Sequence, residues 1–312
     1  MSTPTTLELP DGVRRGTIHT GRGSFAALGA FPASGVRERR PALLVPGYTG
    51  SKEDFLAIAG LLADRGRQVV AIDMRGQFET PGTDDHDGYS PAALGADIAA
   101  VVDATGARHL LGHSYGGLIA REALLEKADG IGSFTLMSSG PSALTGPRAG
   151  ELRAMLAALG VPDDDARDAS VRQDSVPETA ALRDRIAGLW QTYLKPQAEQ
   201  AGVPGPIVAF LAKRMLGNDP NGLVHMARHL LTAPDRTAEL TRLDRIPMLV
   251  LYGEDDNSWS PGTQEAMARR LGACRVCIPA AAHSPAVEAP ATTAAALTRF
   301  WDEAEIAPAQ TA

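Results

Sequence analysis

The run Gly112-His113-Ser114-Tyr115-Gly116-Gly117 constrains this chain more than any other. It follows His109 to Gly112, an apolar segment that reads as a buried strand, and it opens a helical pattern from Tyr115 to about Lys127. A G-x-S-x-G run between a strand and a helix has a definite physical use. The serine sits on a sharp turn at the carboxyl end of the strand, so its hydroxyl stands clear of the sheet. Glycines two before and two after it let backbone segments approach without a Cβ clash. The helix that starts beside it presents unpaired N–H groups and the positive end of a dipole to any negative charge that develops there. Ser114 is the candidate nucleophile; the bland alternative is a glycine-rich turn with a capping serine.

Around this unit the chain alternates strand-like and helix-like segments. Ala42 to Val45 is a short apolar run stopped by Pro46-Gly47, and Gln68 to Ile72, Ser133 to Met137, Pro247 to Tyr252 and Arg275 to Ile278 read as further strands. Ser51 to Arg65 has helical spacing, Ser90-Pro91 starts a helix that runs to about Ala104, and a last helix covers roughly Ala286 to Ala304. Such alternation implies an α/β fold: a mostly parallel central sheet with helices on both faces. The rhythm breaks between Gly140 and Arg245, where Glu151–Leu159, Ala180–Leu194 and Ile207–Met215 look helical and no strand stands out. That stretch reads as an inserted helical lid. The expected organisation is a core at 13–139, the lid at 140–245 and the rest of the core at 246–306, with loose termini at 1–12 and 307–312.

Composition excludes several classes. The 312 residues are 44% hydrophobic, enough for a sizeable core, and 30 Lys and Arg against 37 Asp and Glu give a net charge of −7. Nucleic acid needs clustered cations, and the nearest cluster, Arg37 with Arg39 and Arg40, reads as a solvated turn. No apolar run approaches the roughly 18 residues of a membrane span, and Met1 to Pro10 lacks the basic start and apolar core of a secretory signal. A soluble, cytoplasmic protein with no nucleic-acid or membrane partner is expected. Cys274 and Cys277 have the spacing of half a zinc site, but no second ligand pair accompanies them. They read as members of a short strand, pointing to opposite faces, so neither a metal nor an internal disulfide is expected. No cofactor motif is present, and none is expected to be needed.

A serine hydroxyl is a weak nucleophile until a base takes its proton, and the base needs an orienting acid. With its Gly-His-Ser-Tyr-Gly-Gly elbow, the chain resembles the α/β-hydrolase fold superfamily, of the lid-bearing serine hydrolase type. The resemblance covers about 40–138 and 245–305, and the middle matches only as a lid. It implies the chain order Ser, Asp or Glu, His. His283, in Ala282-His283-Ser284-Pro285-Ala286-Val287-Glu288-Ala289-Pro290, resembles the family's catalytic histidine loop. In Tyr252-Gly253-Glu254-Asp255-Asp256-Asn257 the family pattern places the acid at Asp256, with Asp255 as the fallback. Met137-Ser138-Ser139-Gly140 offers no acid at the alternative position some relatives use. Pro46-Gly47-Tyr48-Thr49-Gly50 stands where relatives carry His-Gly, and the resemblance implies oxyanion donors at the backbone N–H groups of Tyr48 and Tyr115. Asp73-Met74-Arg75-Gly76-Gln77 resembles a D-x-R-G-x-G segment, with Gln77 where His is common and Phe78 where Gly is common. Its implied role is structural, Arg75 tying loops near the site.

Other residues have two readings each. His113 points the wrong way for a base and suits packing. His225 and His229, four apart on a helix, either line the pocket or face solvent. Trp190, Tyr193, Phe210, Met215 and Met226 either touch substrate or pack within the lid. The functional expectation is a serine hydrolase that cleaves an ester, lactone or thioester of a small apolar acyl substrate through an acyl-enzyme. The same triad could instead serve C–C bond hydrolysis, amide or N-terminal peptide hydrolysis, or cofactor-free perhydrolysis of the haloperoxidase kind. More remote is a ligand-binding protein with a residual triad. A serine nucleophile speaks against dehalogenases and epoxide hydrolases, which need a carboxylate.

Overall fold

The computed structural model describes residues 2–161 and 177–306. The expected loose tail at 307–312 lies outside them. Eight strands form one sheet in the order β1-β2-β4-β3-β5-β6-β7-β8. They are β1 (Val13–Thr20), β2 (Gly23–Ala30), β3 (Arg39–Val45), β4 (Arg67–Ile72), β5 (His109–His113), β6 (Ser133–Met137), β7 (Met248–Gly253) and β8 (Cys274–Ile278). β2 runs antiparallel to both β1 and β4, and every other neighbouring pair is parallel. Central strands β5, β6 and β7 are buried along their whole length. Burial on both faces lets apolar residues stand at adjacent positions, as at Leu110–Leu111, Leu136–Met137 and Met248–Leu251.

The side-chain period of two sorts the core onto the two faces of the sheet. Leu43, Val45, Leu110, Phe134 and Val250 point to one side. There they meet α2 (Pro91–Thr105), α3 (Tyr115–Glu126) and the inserted helices. Ala42, Leu44, Leu111, Met137 and Leu249 point to the other. There they meet α1 (Leu56–Ala63) and, from the end of the chain, Phe300 and Trp301.

Between β6 and β7 the described residues are helical. They form α4 (Gly146–Ala158), α5 (Thr179–Leu189), a π-helical turn (Trp190–Leu194), α6 (Lys195–Gln200), α7 (Gly205–Gly217), α8 (Pro220–Thr232) and α9 (Thr237–Leu240). After β7 come α10 (Pro261–Leu271), α11 (Pro285–Glu288) and α12 (Pro290–Ile306).

Several sequence expectations differ from this. The hairpin β1–β2 was not foreseen: β1 is largely exposed, lies at the sheet edge and carries charged residues, so it lacks an apolar signature. The single helix expected over Ala286 to Ala304 is two, because proline cannot continue a helix as an N–H donor and Pro290 restarts it. Cys274 and Cys277 lie on the edge strand β8 as free thiols, and both are exposed rather than packed. Nor is the N-terminal segment loose. Pro10 packs against Gly60, Pro4 is buried, and Ser2 lines a cavity that Ser114 also lines. No helix among the described residues is long and apolar enough to cross a membrane.

Candidate active site

Strand β5 ends in a turn whose backbone is forced. Ser114 has φ 53 and ψ −122, a left-handed conformation costly for any residue with a Cβ. The flanking glycines are required by contact. A Cβ on Gly112 would collide with the Gly116 carbonyl oxygen, and one on Gly116 with the Pro46 carbonyl oxygen. The elbow is therefore wedged between its own helix and the loop after β3. The Ser114 N–H donates to the Met137 carbonyl at 2.9 Å, which ties the turn to β6.

His283 comes from the loop after β8. Its Nε2 lies 2.9 Å from Ser114 Oγ, and its Nδ1 lies 2.9 Å from Asp256 Oδ1. The structure brings these sequence candidates into one hydrogen-bonded line. Asp255 takes no part in it and is exposed. Burial alone would raise the Asp256 carboxyl. Hydrogen bonds from His283, the Ser258 N–H and Gln264 Nε2, with the charge of His283, outweigh it and hold the group below the usual carboxylate range. Gln264, on α10, is a residue the sequence reading missed. It is fully buried and also donates to the Trp259 carbonyl at 2.7 Å. No local motif marks it; only its position facing Asp256 does.

His113 Nε2–H donates to the His283 carbonyl at 2.7 Å. Burial, then the nearby charge of His283, pushes its imidazole down to about 4, so it is neutral near pH 7. It secures the histidine loop rather than only filling space.

Tyr115 is the first residue of α3, so its N–H has no intrahelical acceptor. The Tyr48 hydroxyl donates to the Leu223 carbonyl of α8 at 2.7 Å, which joins the loop after β3 to the inserted helices. Gln77 Nε2 donates to the carbonyls of Gly47 and Tyr48 at 2.8 and 2.9 Å. Arg75 forks onto Asp97 of α2 with two bonds of 2.7 Å and reaches the Arg22 carbonyl of the β1–β2 turn at 3.0 Å, so it joins a helix to the hairpin rather than loops at the site. Asp73 faces Lys52, whose Nζ lies 2.7 Å away, well inside the core.

A cavity of about 510 Å³ opens over Ser114 and His283. Its walls are mostly apolar: Leu152 and Met155 from α4, Leu189 and Leu194 around the π turn, Met215 from α7 and Leu230 from α8. Tyr193 and Met215 border this cavity, whereas Trp190, Phe210 and Met226 do not. Trp190 and Met226 are buried in the core, and Phe210 packs edge-on against Phe78 with ring centroids 5.7 Å apart. His225 stacks with Tyr89 and His229 bonds the Tyr115 hydroxyl at 3.2 Å, so neither of the two readings for this pair holds. Ser2 borders the cavity as well. Its hydroxyl lies 2.8 Å from Ser284 Oγ, and its carbonyl accepts from Arg214 Nη2 at 2.6 Å. No group of three or more His, Cys, Asp or Glu that could hold a metal occurs among the described residues.

Comparison with known proteins places the chain in a family. A model of the alpha/beta hydrolase family matches residues 42–296. A Variovorax paradoxus (strain S110) protein that carries the name carbamate hydrolase RutD is 30% identical over 111 residues, 35% of this chain and 41% of that relative. The match thus spans less than half of the relative's length. A thermophilic esterase from Thermogutta terrifontis superposes with a TM-score of 0.64 at 21% identity, covering 93% of this chain and 99% of that one. An enol-lactonase from Burkholderia xenovorans LB400 does so with a TM-score of 0.65 at 17% identity, covering 92% and 100%. At these identities the structural likeness is one of fold. The family model, by contrast, spans most of the sequence, and the chain belongs to the alpha/beta hydrolase family.

Proposed function

We propose that this protein is a serine hydrolase that cleaves an ester, lactone or thioester of a small apolar acyl substrate through an acyl-enzyme. One observation carries the reading: Ser114 Oγ, the His283 ring and Asp256 form a continuous hydrogen-bonded line beneath an apolar cavity of about 510 Å³. The substrate's apolar part fills that cavity. Ser114 Oγ attacks the carbonyl carbon as its proton passes to His283 Nε2. Asp256, held ionised, orients the ring and stabilises the imidazolium. The new oxyanion is received by the N–H groups of Tyr48 and Tyr115. His283 returns the proton to the leaving oxygen or sulfur. Water, deprotonated by the same histidine, then releases the acid and frees Ser114.

The test is a stopped-flow assay with p-nitrophenyl acetate. Wild-type protein is expected to show a burst of nitrophenol followed by turnover. Ser114→Ala should lose both, with turnover reduced by at least about 10³-fold. Undiminished turnover by Ser114→Ala would refute the reading. Carbamate esters belong in the same substrate panel, because a relative over part of the chain is named for that reaction.

A further inference from the structure

We propose that Gln77 is a positioning residue that aims the Tyr48 oxyanion donor, a role that rests on the acyl-transfer reading above. Gln77 is buried and does not border the cavity, so it acts through the backbone it holds. Its Oε1 accepts from the Met74 N–H at 3.0 Å. That contact fixes which end of the amide faces which way, and Nε2 is left to donate to Gly47 O at 2.8 Å and Tyr48 O at 2.9 Å. One end of the side chain must accept while the other donates twice, a combination that a primary amide supplies and a carboxylate does not.

The consequence follows from peptide geometry. The Gly47 carbonyl and the Tyr48 N–H belong to one planar unit, and no peptide bond among the described residues is cis. In a trans unit these groups point in opposite directions. Drawing the Gly47 oxygen onto Gln77 therefore turns the Tyr48 N–H away from Gln77. Gly47 itself packs against the elbow, since a Cβ on it would stand 3.2 Å from Ser114 Cβ. With its own carbonyl also held by Nε2, Tyr48 is fixed at both of its peptide units.

The turn that presents Gln77 is itself constrained. The Gln77 N–H bonds the Met74 carbonyl at 2.9 Å, Gly76 has φ 74, and the next residue, Phe78, has φ 43 despite its side chain. Left-handed backbone at a bulky residue persists only where its surroundings over-determine it. Here Phe210 of α7 packs edge-on against the Phe78 ring and Lys52 Nζ sits 4.8 Å from its centroid.

The test uses Gln77→Met, close in size but without donors, and Gln77→Glu, which keeps the acceptor for Met74. Folding is checked by thermal melting. Against p-nitrophenyl acetate, Gln77→Met should lose about tenfold to a hundredfold in kcat with KM nearly unchanged, less than removal of a donor itself. Its affinity for a trifluoromethyl ketone, whose serine adduct carries the oxyanion, should fall in parallel. Gln77→Glu should recover activity relative to wild type as pH is lowered, because a protonated carboxyl regains one donor. Wild-type kcat and ketone affinity in folded Gln77→Met would overturn the proposal. If that variant does not fold, a pH-independent ratio near one for Gln77→Glu would do so. Ser114→Ala in the same assay separates the two ideas: its loss of turnover beside an unaffected Gln77 variant sinks only the role of Gln77.

Discussion

Asp255 and Asp256 carry the same carboxylate, and only their surroundings separate them. Asp255 is exposed, whereas Asp256 is buried and accepts from His283, the Ser258 N–H and Gln264. In the proposed mechanism only Asp256 fixes the histidine tautomer. Asp256→Asn should lower kcat on the order of 10³- to 10⁴-fold, while Asp255→Asn stays near wild type. Steady-state kinetics of the two purified variants decides between them, and equal activities would remove Asp256 from its assigned role. The family resemblance implied Asp256, but nothing in the sequence pointed to Gln264. That residue lies eight positions on, in α10, and its use depends on facing inward.

At the scale of elements, α7 is pinned to the core by charge. Arg214 is fully buried, and its Nη1 lies 2.7 Å from Asp54 Oδ1 in the turn that precedes α1. Removing one partner of such a pair strands the other in a medium that solvates charge poorly. Arg214→Ala should therefore destabilise the protein by about 3–5 kcal/mol, read as a fall in the denaturation midpoint. Adding Asp54→Asn should restore part of the loss, and additive effects in that double-mutant cycle would argue against the pairing. The π turn shows another limit of pattern reading. The Lys195 N–H bonds the Trp190 carbonyl five residues back, and the extra residue per turn brings Leu189, Tyr193 and Leu194 to one cavity. The spacing over Ala180–Leu194 reads as plain helix, because a π turn carries no composition of its own. Central strands were legible because burial on both faces leaves apolar residues at adjacent positions. β1 was not, since an exposed edge strand owes its place to the partner it pairs with.

For the molecule as a whole, buried histidines set an acid limit. Burial pushes His109, His113 and His229 down from 6.5 to about 4. An unfolded chain binds these protons near pH 6.5 and the folded one only near 4, so their contribution is complete above 6.5 and is lost as pH falls through that window. Each group costs about 1.4 kcal/mol per pH unit within it. Asp73 works in the opposite sense, since burial lifts its carboxyl to about 6 and the folded state takes that proton first. The histidines outnumber it, and the melting temperature should fall most steeply between pH 6.5 and 4. A flat profile across that range would contradict the buried, neutral state of these rings.

What the sequence determined by itself is local or repetitive. The elbow at Ser114, the alternation of strand and helix and the break between β6 and β7 all depend on neighbours in the chain and on periodic burial. Tertiary structure decided the rest: which carboxylate meets His283, how Gln77 holds the loop before Tyr48, and which side chains wall the cavity. The reason is distance along the chain. Ser114 and His283 are 169 positions apart, and their 2.9 Å contact exists only because parallel strands deliver both loops to the carboxyl end of one sheet.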